Sequence, residues 1–511
     1  MFALMFRYQS QNQLTIKEFE MPFEAELNPT NRWVVMSQTI PWDEFARAYQ
    51  KNFKSRRGAP TIDARIVLGV VIIKHLLKLD DEGVIEMIQE NPYMQYFLGL
   101  KSFTSKPVMD PSLLVHIRKR IDLSVFEKLT DELIREGLKI NRQTQDDGDD
   151  EQGDDVDNTN DEVQMSNKGK LQIDATVADA DIKFPTDLDL LNDSREKAEE
   201  LIDYLCGELG VKQKPRTYRR NARKAYLNLS KKKRKTEKEL RKGIRQQLGF
   251  VRRDIKIINQ LLDKSQQIGV GGLFDKHQQK YFFVIQHVFS QQERMFKGKV
   301  HSVEDRIVSI HQPHVRPIVR GKAKSKVEFG AKINVSLHNG YARIDHFDWN
   351  AYNEGTDLIM QVERYRELHG HYPKVVLVDK IYLNRENRRW LKEHGISHTG
   401  DPLGRKRVVN QPSAYQKRKK RSECAERNQI EGKFGQGKRG YNLNNIRARL
   451  SSTSTSWIAA IIFVMNILRH MKGISLSFFV TLFDKLMRMK QIIKNQIPNP
   501  TLNFAGFGII Q

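Results

Sequence analysis

The sequence predicts an α/β fold, and three runs of residues carry that assignment. Leu171-Gln172-Ile173-Asp174-Ala175-Thr176-Val177 alternates with the period of two that sends a strand's side chains to opposite faces. Residues 326–337 and 341–347 repeat the pattern around His338-Asn339-Gly340, and Asn-Gly between alternating runs marks a tight hairpin. Pro373-Lys374-Val375-Val376-Leu377-Val378-Asp379 is short and continuously apolar, as in a strand buried on both faces.

A chain of 511 residues allows roughly three domains and a sizeable core. The 86 Lys and Arg against 62 Asp and Glu leave a formal charge of +24, far beyond what solubility needs. Such an excess implies a polyanionic partner, nucleic acid before membrane. Only Cys206 and Cys424 are present, which argues against a disulfide framework or a Cys-based zinc site and for a reducing compartment. The opening residues lack a basic leader, and the longest apolar stretch, 457–468, is too short to span a bilayer. A cytoplasmic protein without a membrane partner is the expectation.

Residues 1–143 are expected to form a helical, DNA-binding N-terminal domain. Ile66-Val67-Leu68-Gly69-Val70-Val71-Ile72-Ile73 is its apolar helix, 84–88 a second, and 93–100 a third after the Asn91-Pro92 break. Residues 111–120 end in Arg118-Lys119-Arg120, which fits a helix-turn-helix reader or a plain bundle equally. Residues 144–168 collapse into Asp, Gly, Asn and Glu and read as a flexible acidic linker; no calcium-loop spacing accompanies the aspartates.

Residues 169–450 hold the expected catalytic domain, interrupted at about 194–300 by a basic helical insertion that includes Lys231-Lys232-Lys233-Arg234-Lys235. This segment reads either as an exposed charged hairpin or as a phosphate-gripping element. Arg306-Ile307-Val308-Ser309-Ile310 reads as a strand, 357–369 and 388–393 as helices, and Arg405-Lys406-Arg407 and Lys417-Arg418-Lys419-Lys420-Arg421 as a basic loop. Residues 451–511 are expected to complete the core, through helices at 456–470 and 478–489.

Three acids stand out. Asp174 lies mid-strand, where it either serves a site or faces solvent. Asp379 ends a buried strand, the place where open α/β sheets bind ligands, or else caps the next turn. Glu431 shares a helix face with Arg427 and Lys438 at about 100° per residue, although Gly432, Gly435 and Gly437 argue against a regular helix beyond Phe434. Such a trio alone is also what a solvated helix shows. Brought together, three carboxylates repel unless divalent cations sit between them, and hard oxygen donors select Mg²⁺ or Mn²⁺. Two such ions would serve an in-line phosphodiester displacement. By contrast, His311-Gln312-Pro313-His314 lacks further ligands and reads as a loop.

With these residues assembled, the chain resembles the DDE transposases of bacterial insertion sequences. Gln172-Ile173-Asp174-Ala175-Thr176 is similar to their first-Asp strand and Val376-Leu377-Val378-Asp379-Lys380-Ile381-Tyr382 to their second. Arg427-x3-Glu431-x6-Lys438 is similar to the Tyr-x2-Arg-x3-Glu-x6-Lys signature of the insertion-sequence-four and -five groups, with Cys424 in place of the Tyr. The stretch from Gly58-Ala59-Pro60 to Phe97-Leu98-Gly99-Leu100 is similar to the helical domain of the insertion-sequence-five group.

The resemblance implies an RNase H-like mixed-sheet catalytic core with a helical N-terminal domain and C-terminal helices. It implies Asp174, Asp379 and Glu431 as catalytic ligands of two Mg²⁺ or Mn²⁺ ions, and Arg427 and Lys438 as DNA-phosphate contacts. The partners implied are the element's terminal inverted repeats and target DNA, bound by a homo-oligomer, a dimer, near the bacterial nucleoid. A non-catalytic, domesticated DNA-binding protein and a stand-alone metal-dependent nuclease are the alternatives.

Overall fold

The structure, a computed structural model, describes residues 19–20, 26–53, 61–146, 167–319, 327–400 and 413–496. The first helices are α1 (Arg32–Thr39), α2 (Trp42–Gln50), α3 (Ala64–Leu77), α4 (Asp81–Glu90), α5 (Pro92–Phe97), α6 (Leu113–Arg120) and α7 (Leu123–Asp146). Several starts are set by short polar residues: Asn31, Asp63, Asp80 and Asn91 accept hydrogen bonds from N–H groups of the turns they cap. α3 is apolar nearly all round because it is buried nearly all round.

Strand β1 (Lys170–Asp179) follows, then four helices, α8 (Asp187–Glu208), α9 (Arg219–Ser230), α10 (Glu237–Gln267) and α11 (Lys276–Gly298). The chain then returns to the sheet with β2 (Arg316–Val319), β3 (Val327–His338), β4 (Tyr341–Asp348), α12 (Leu358–His369), β5 (Val375–Leu377), α13 (Arg385–Glu393) and β6 (Ser397–His398). α14 (Ala414–Gly440) and α15 (Ser451–Gln496) come last.

The strands form one mixed sheet in the order β2-β3-β1-β5-β6, with β4 also on β3. β1 is its seam: it pairs antiparallel with β3 and parallel with β5. The β3–β4 hairpin turns at Asn339 and Gly340, both at positive φ (50° and 84°), which is what the Asn-Gly signal requires. One face of the sheet, through Ala178, Ile333, Val335 and Leu337, joins a core shared by the N-terminal helices, α14 and α15, where Phe463 meets Phe45 and Phe126. The other face, through Leu171 and Ile173, packs on Leu358 and Val362 of α12 and Leu391 of α13. Asn466, fully buried on α15, both accepts from the Ala342 N–H and donates to its carbonyl, and so satisfies backbone groups of the outer strand β4.

Helices α8 to α11 have a core of their own, built from Leu201, Ile202 and Leu205 of α8, Leu248, Val251 and Ile258 of α10, and Ile285 of α11. α10 and α11 each begin with a reciprocal capping box, Thr236 with Glu239 and Asp275 with Gln278.

Several sequence expectations differ from the structure. α14 runs unbroken to Gly440, because Gly432 and Gly435 lie on its outer side and tolerate helical φ, while Gly437 lets Leu443 and Met465 approach. Residues 417–421 belong to this helix rather than to a loop, and the two expected C-terminal helices are the single α15. Residues 306–310 form no strand; Ile307 is tied to Gln291 of α11 through its N–H and carbonyl instead of to a sheet neighbour. β2 and β6, four and two residues long, have no legible period. The start of α15, Ser451–Gly473, is long and apolar enough to cross a membrane, but its residues are mostly buried in the shared core. Residues 58–60 and 405–407 and nearly all of the expected linker lie outside the described residues.

The insertion core encloses one carboxylate at a cost. Asp254 on α10 is fully buried, and among the described residues neither of its oxygens has a hydrogen-bond partner. Burial, reinforced by Glu199 and opposed by Arg195, pushes its carboxyl up to about 8. The folded state therefore keeps a proton that the unfolded chain releases near pH 4, so stability should fall as pH rises from about 4 to about 8. Asp254→Asn should remove that slope: melting curves of the two proteins should converge near pH 4, with the variant the more stable at pH 8.

Candidate active site

The site follows from register. β1 and β5 run parallel with Gln172 opposite Leu377, so two residues further along both chains Asp174 and Asp379 are level. β5 has ended there, and Asp379 opens a turn of 3-10 helix, Lys380–Tyr382, without capping it through its side chain. The turn is pinned from below. Tyr382 is buried and donates to Asn334 Oδ1 (2.8 Å), Asn334 Nδ2 donates to Asp357 (2.8 Å), and His346 Nδ1 meets the same carboxylate at 2.9 Å. Asn387 adds donated bonds to the carbonyls of Tyr382 and Gly355, each 2.7 Å. Burial, with Asp174 and Glu354 adding negative charge nearby, raises the Tyr382 phenol, which stays protonated as a donor.

α14 brings the third acid. It lies along β1 in one direction: Lys170 pairs with Glu426 (2.7 Å), Gln172 donates to Gln429 (3.1 Å), and Lys438 pairs with Asp179 (3.6 Å). Ile430 and Phe434 are the buried side of this helix, so Arg427 and Glu431 are carried beside them at the rim of the sheet. Asp174, Asp379, Glu431, Arg427 and Lys438 all line one open cleft of about 860 Å³, together with Lys332, Tyr352 and Glu354.

Within the cleft the charges are sorted. Arg427 stands between two acids, 3.2 Å from Asp379 and 3.6 Å from Glu431. Both carboxylates are more than half exposed (62% and 57%), so this bridge contributes less than about 1 kcal/mol and yields readily to a stronger cation. Asp174 Oδ1 accepts from the Ala175 N–H at 2.8 Å. Lys438 is not in the Arg427 group; it reaches Asp179 and Glu328 (3.8 Å), the strand ends beneath α14. Cys424 is exposed on the same helix. Lys433 points away from the cleft to the Gly340 carbonyl, and burial with the nearby Arg469 and Lys472 lowers its ammonium to about 8.

Among the described residues no group of three or more His, Cys, Asp or Glu side chains stands ready to hold a metal ion. The donor chemistry nevertheless fits one, since the acids offer only hard oxygens and two of them already share a single cation, the guanidinium. Sequence reasoning did not single out Lys332 and Glu354, an ion pair that lines the same cleft, or the Asn334–Asp357–His346 network. Their only signal was an unusual density of polar residues in otherwise apolar strands.

Residues 376–468, which include Asp379, Arg427, Glu431 and Lys438, match the family described as Transposase DDE domain, and residues 21–120 match Transposase domain (DUF772). The chain is thus similar to transposases over these two segments, the second of them a DDE-domain match. An uncharacterised relative, ORF8 in the nfe locus of Rhizobium meliloti, is 34% identical over 111 residues, 22% of this chain and 53% of that protein. The chain thus spans about half the length of this curated relative. No solved structure matches. The two matched segments lie in the N-terminal helices and in the stretch from β5 to α15, which meet in one core.

The arrangement separates two cations that the sequence placed on one face. Lys438→Ala should remove a cation that Asp179 and Glu328 share and cost about 1 kcal/mol of stability. Arg427→Ala should cost less, because its partners are largely solvated. Thermal melts of the two variants side by side check the ordering.

Proposed function

We propose that this chain is a transposase that cuts DNA at the ends of its own element and joins the freed 3′-hydroxyl to target DNA. The observation that carries the reading is the convergence of Asp174, Asp379 and Glu431, from two parallel strands and the helix laid over them, on one solvent-open cleft. The mixed sheet, antiparallel on one side of β1 and parallel on the other, supports the RNase H-like reading of this core. Asp174, Asp379 and Glu431 would hold the two Mg²⁺ or Mn²⁺ ions of the family. When bound, such ions activate the attacking oxygen and stabilise the leaving one.

The chain's own residues do the rest. Asp174 is fixed by its strand and Asp379 by the turn above Tyr382, so two donors are set by backbone rather than by flexible loops. Glu431 arrives on a helix whose position is fixed by polar contacts at both ends. Arg427 balances two acids before a cation arrives. Once displaced it stays within reach of a phosphate at the acids, where a fixed positive charge acts chiefly on the barrier. Lys438 holds the helix to the ends of β1 and β3 and adds positive charge to the cleft wall. The partners follow as terminal repeats and target DNA, held by a dimer, in the bacterial cytoplasm at the nucleoid.

Mg²⁺-dependent cleavage and joining on DNA flanking the gene is the direct assay. Asp174→Asn, Asp379→Asn and Glu431→Gln should each abolish cleavage and leave DNA binding in gel-shift assays largely intact. Near wild-type cleavage by any of them removes that acid from the site. Arg427→Ala should slow cleavage on the order of 10²-fold with little change in affinity.

A further inference from the structure

We propose that α10 carries a second DNA-contacting face, remote in sequence from the acids, that grips the duplex backbone without reading its sequence; this rests on the transposase reading above. Lys238, Lys242, Arg245, Gly249 and Lys256 are spaced four, three, four and seven residues apart, so at about 100° per residue they fall within some 40° of one line along the helix. The residues buried on α10, among them Gln247, Val251, Ile258 and Leu261, lie on the opposite side, packed into the insertion core. The basic line therefore points away from the protein, and its four cations are exposed.

Several features favour a phosphate backbone over other partners. The line covers about 27 Å at 1.5 Å per residue, less than one turn of duplex. Residues 212–256 hold nineteen Lys and Arg against three acids, Glu237, Glu239 and Asp254. Asp254 is buried, and Glu237 and Glu239 fall about 100° to either side of the line, where Lys232 and the Thr236 cap engage Glu239. The four cations form no ion pair among the described residues, unlike Arg252, which is held by Glu293. No large apolar side chain interrupts the line, so it offers neither the aromatic anchor of a protein interface nor the apolar face of a membrane-surface helix. Gly249, at its middle, has nothing within 4 Å of where a Cβ would stand, and leaves the helix backbone open to close approach.

The test is the salt dependence of duplex binding by the full chain. Removing one phosphate-bound cation lowers the slope of log K against log salt by about 0.9, so Lys242→Ala/Arg245→Ala/Lys256→Ala should lower it by about 2.7. The reduction should be equal on the element's own ends and on a duplex of unrelated sequence. Unchanged melting temperature certifies the fold, and each single variant should lower the slope by about 0.9. An unchanged slope with normal wild-type binding overturns this inference alone, as does a reduction confined to one sequence or found only with RNA. A wild-type protein that binds no DNA overturns the transposase reading as well.

Discussion

Helix α14 has to lie along β1 in one register, and most of the candidate site depends on that. Two acids are level because β1 and β5 are hydrogen-bonded in parallel; the third is a matter of side-chain packing. Lys170 with Glu426, Gln172 with Gln429 and Asp179 with Lys438 fasten the helix at intervals along the strand, while Ile430 and Phe434 seat it on the sheet. A slip of one residue would rotate Glu431 by about 100° and carry it out of the cleft. The helix is therefore held by apolar burial and aligned by polar contacts, which individually add little stability but penalise other alignments.

Much of this was legible in the chain. Asp174 sits in an alternating run and Asp379 at the end of a buried one, and the strand pairing that sets them level is an ordinary consequence of a parallel neighbour. The Asn339-Gly340 turn and the apolar α3 were equally plain. What could not be read were features decided by tertiary neighbours. The glycines after Glu431 suggested a broken helix, yet α15 and the sheet hold α14 straight, so packing overrides propensity. Lys438 shares the helical spacing of Arg427 and Glu431, but its partners, Asp179 and Glu328, come from strands no spacing rule names. Arg118 and Arg120, read as a basic cluster for DNA, are turned partly inward: Arg118 pairs with Asp81 over the Trp457 ring, and Arg120 donates to Tyr49 over Phe53.

Charge is divided between two regions with different physics. In the cleft, cations and acids are interleaved and each is partly neutralised by its neighbours. On α10 the cations stand on the outside of a helix with a self-sufficient apolar core, where their number matters more than their geometry. This division accounts for a net charge of +24 in a chain whose candidate catalytic cleft is rich in carboxylates.

The central claim is that Asp174, Asp379 and Glu431 form one divalent-cation site because α14 is registered on β1. Loading the protein with Fe²⁺ in place of Mg²⁺ and mapping the backbone cuts made by locally generated hydroxyl radicals tests it directly. The account predicts cuts clustered near residues 174, 379 and 431, suppressed together by excess Mg²⁺ and absent together in Asp379→Asn. Cuts near only one of the three positions, or elsewhere in the chain, would contradict it.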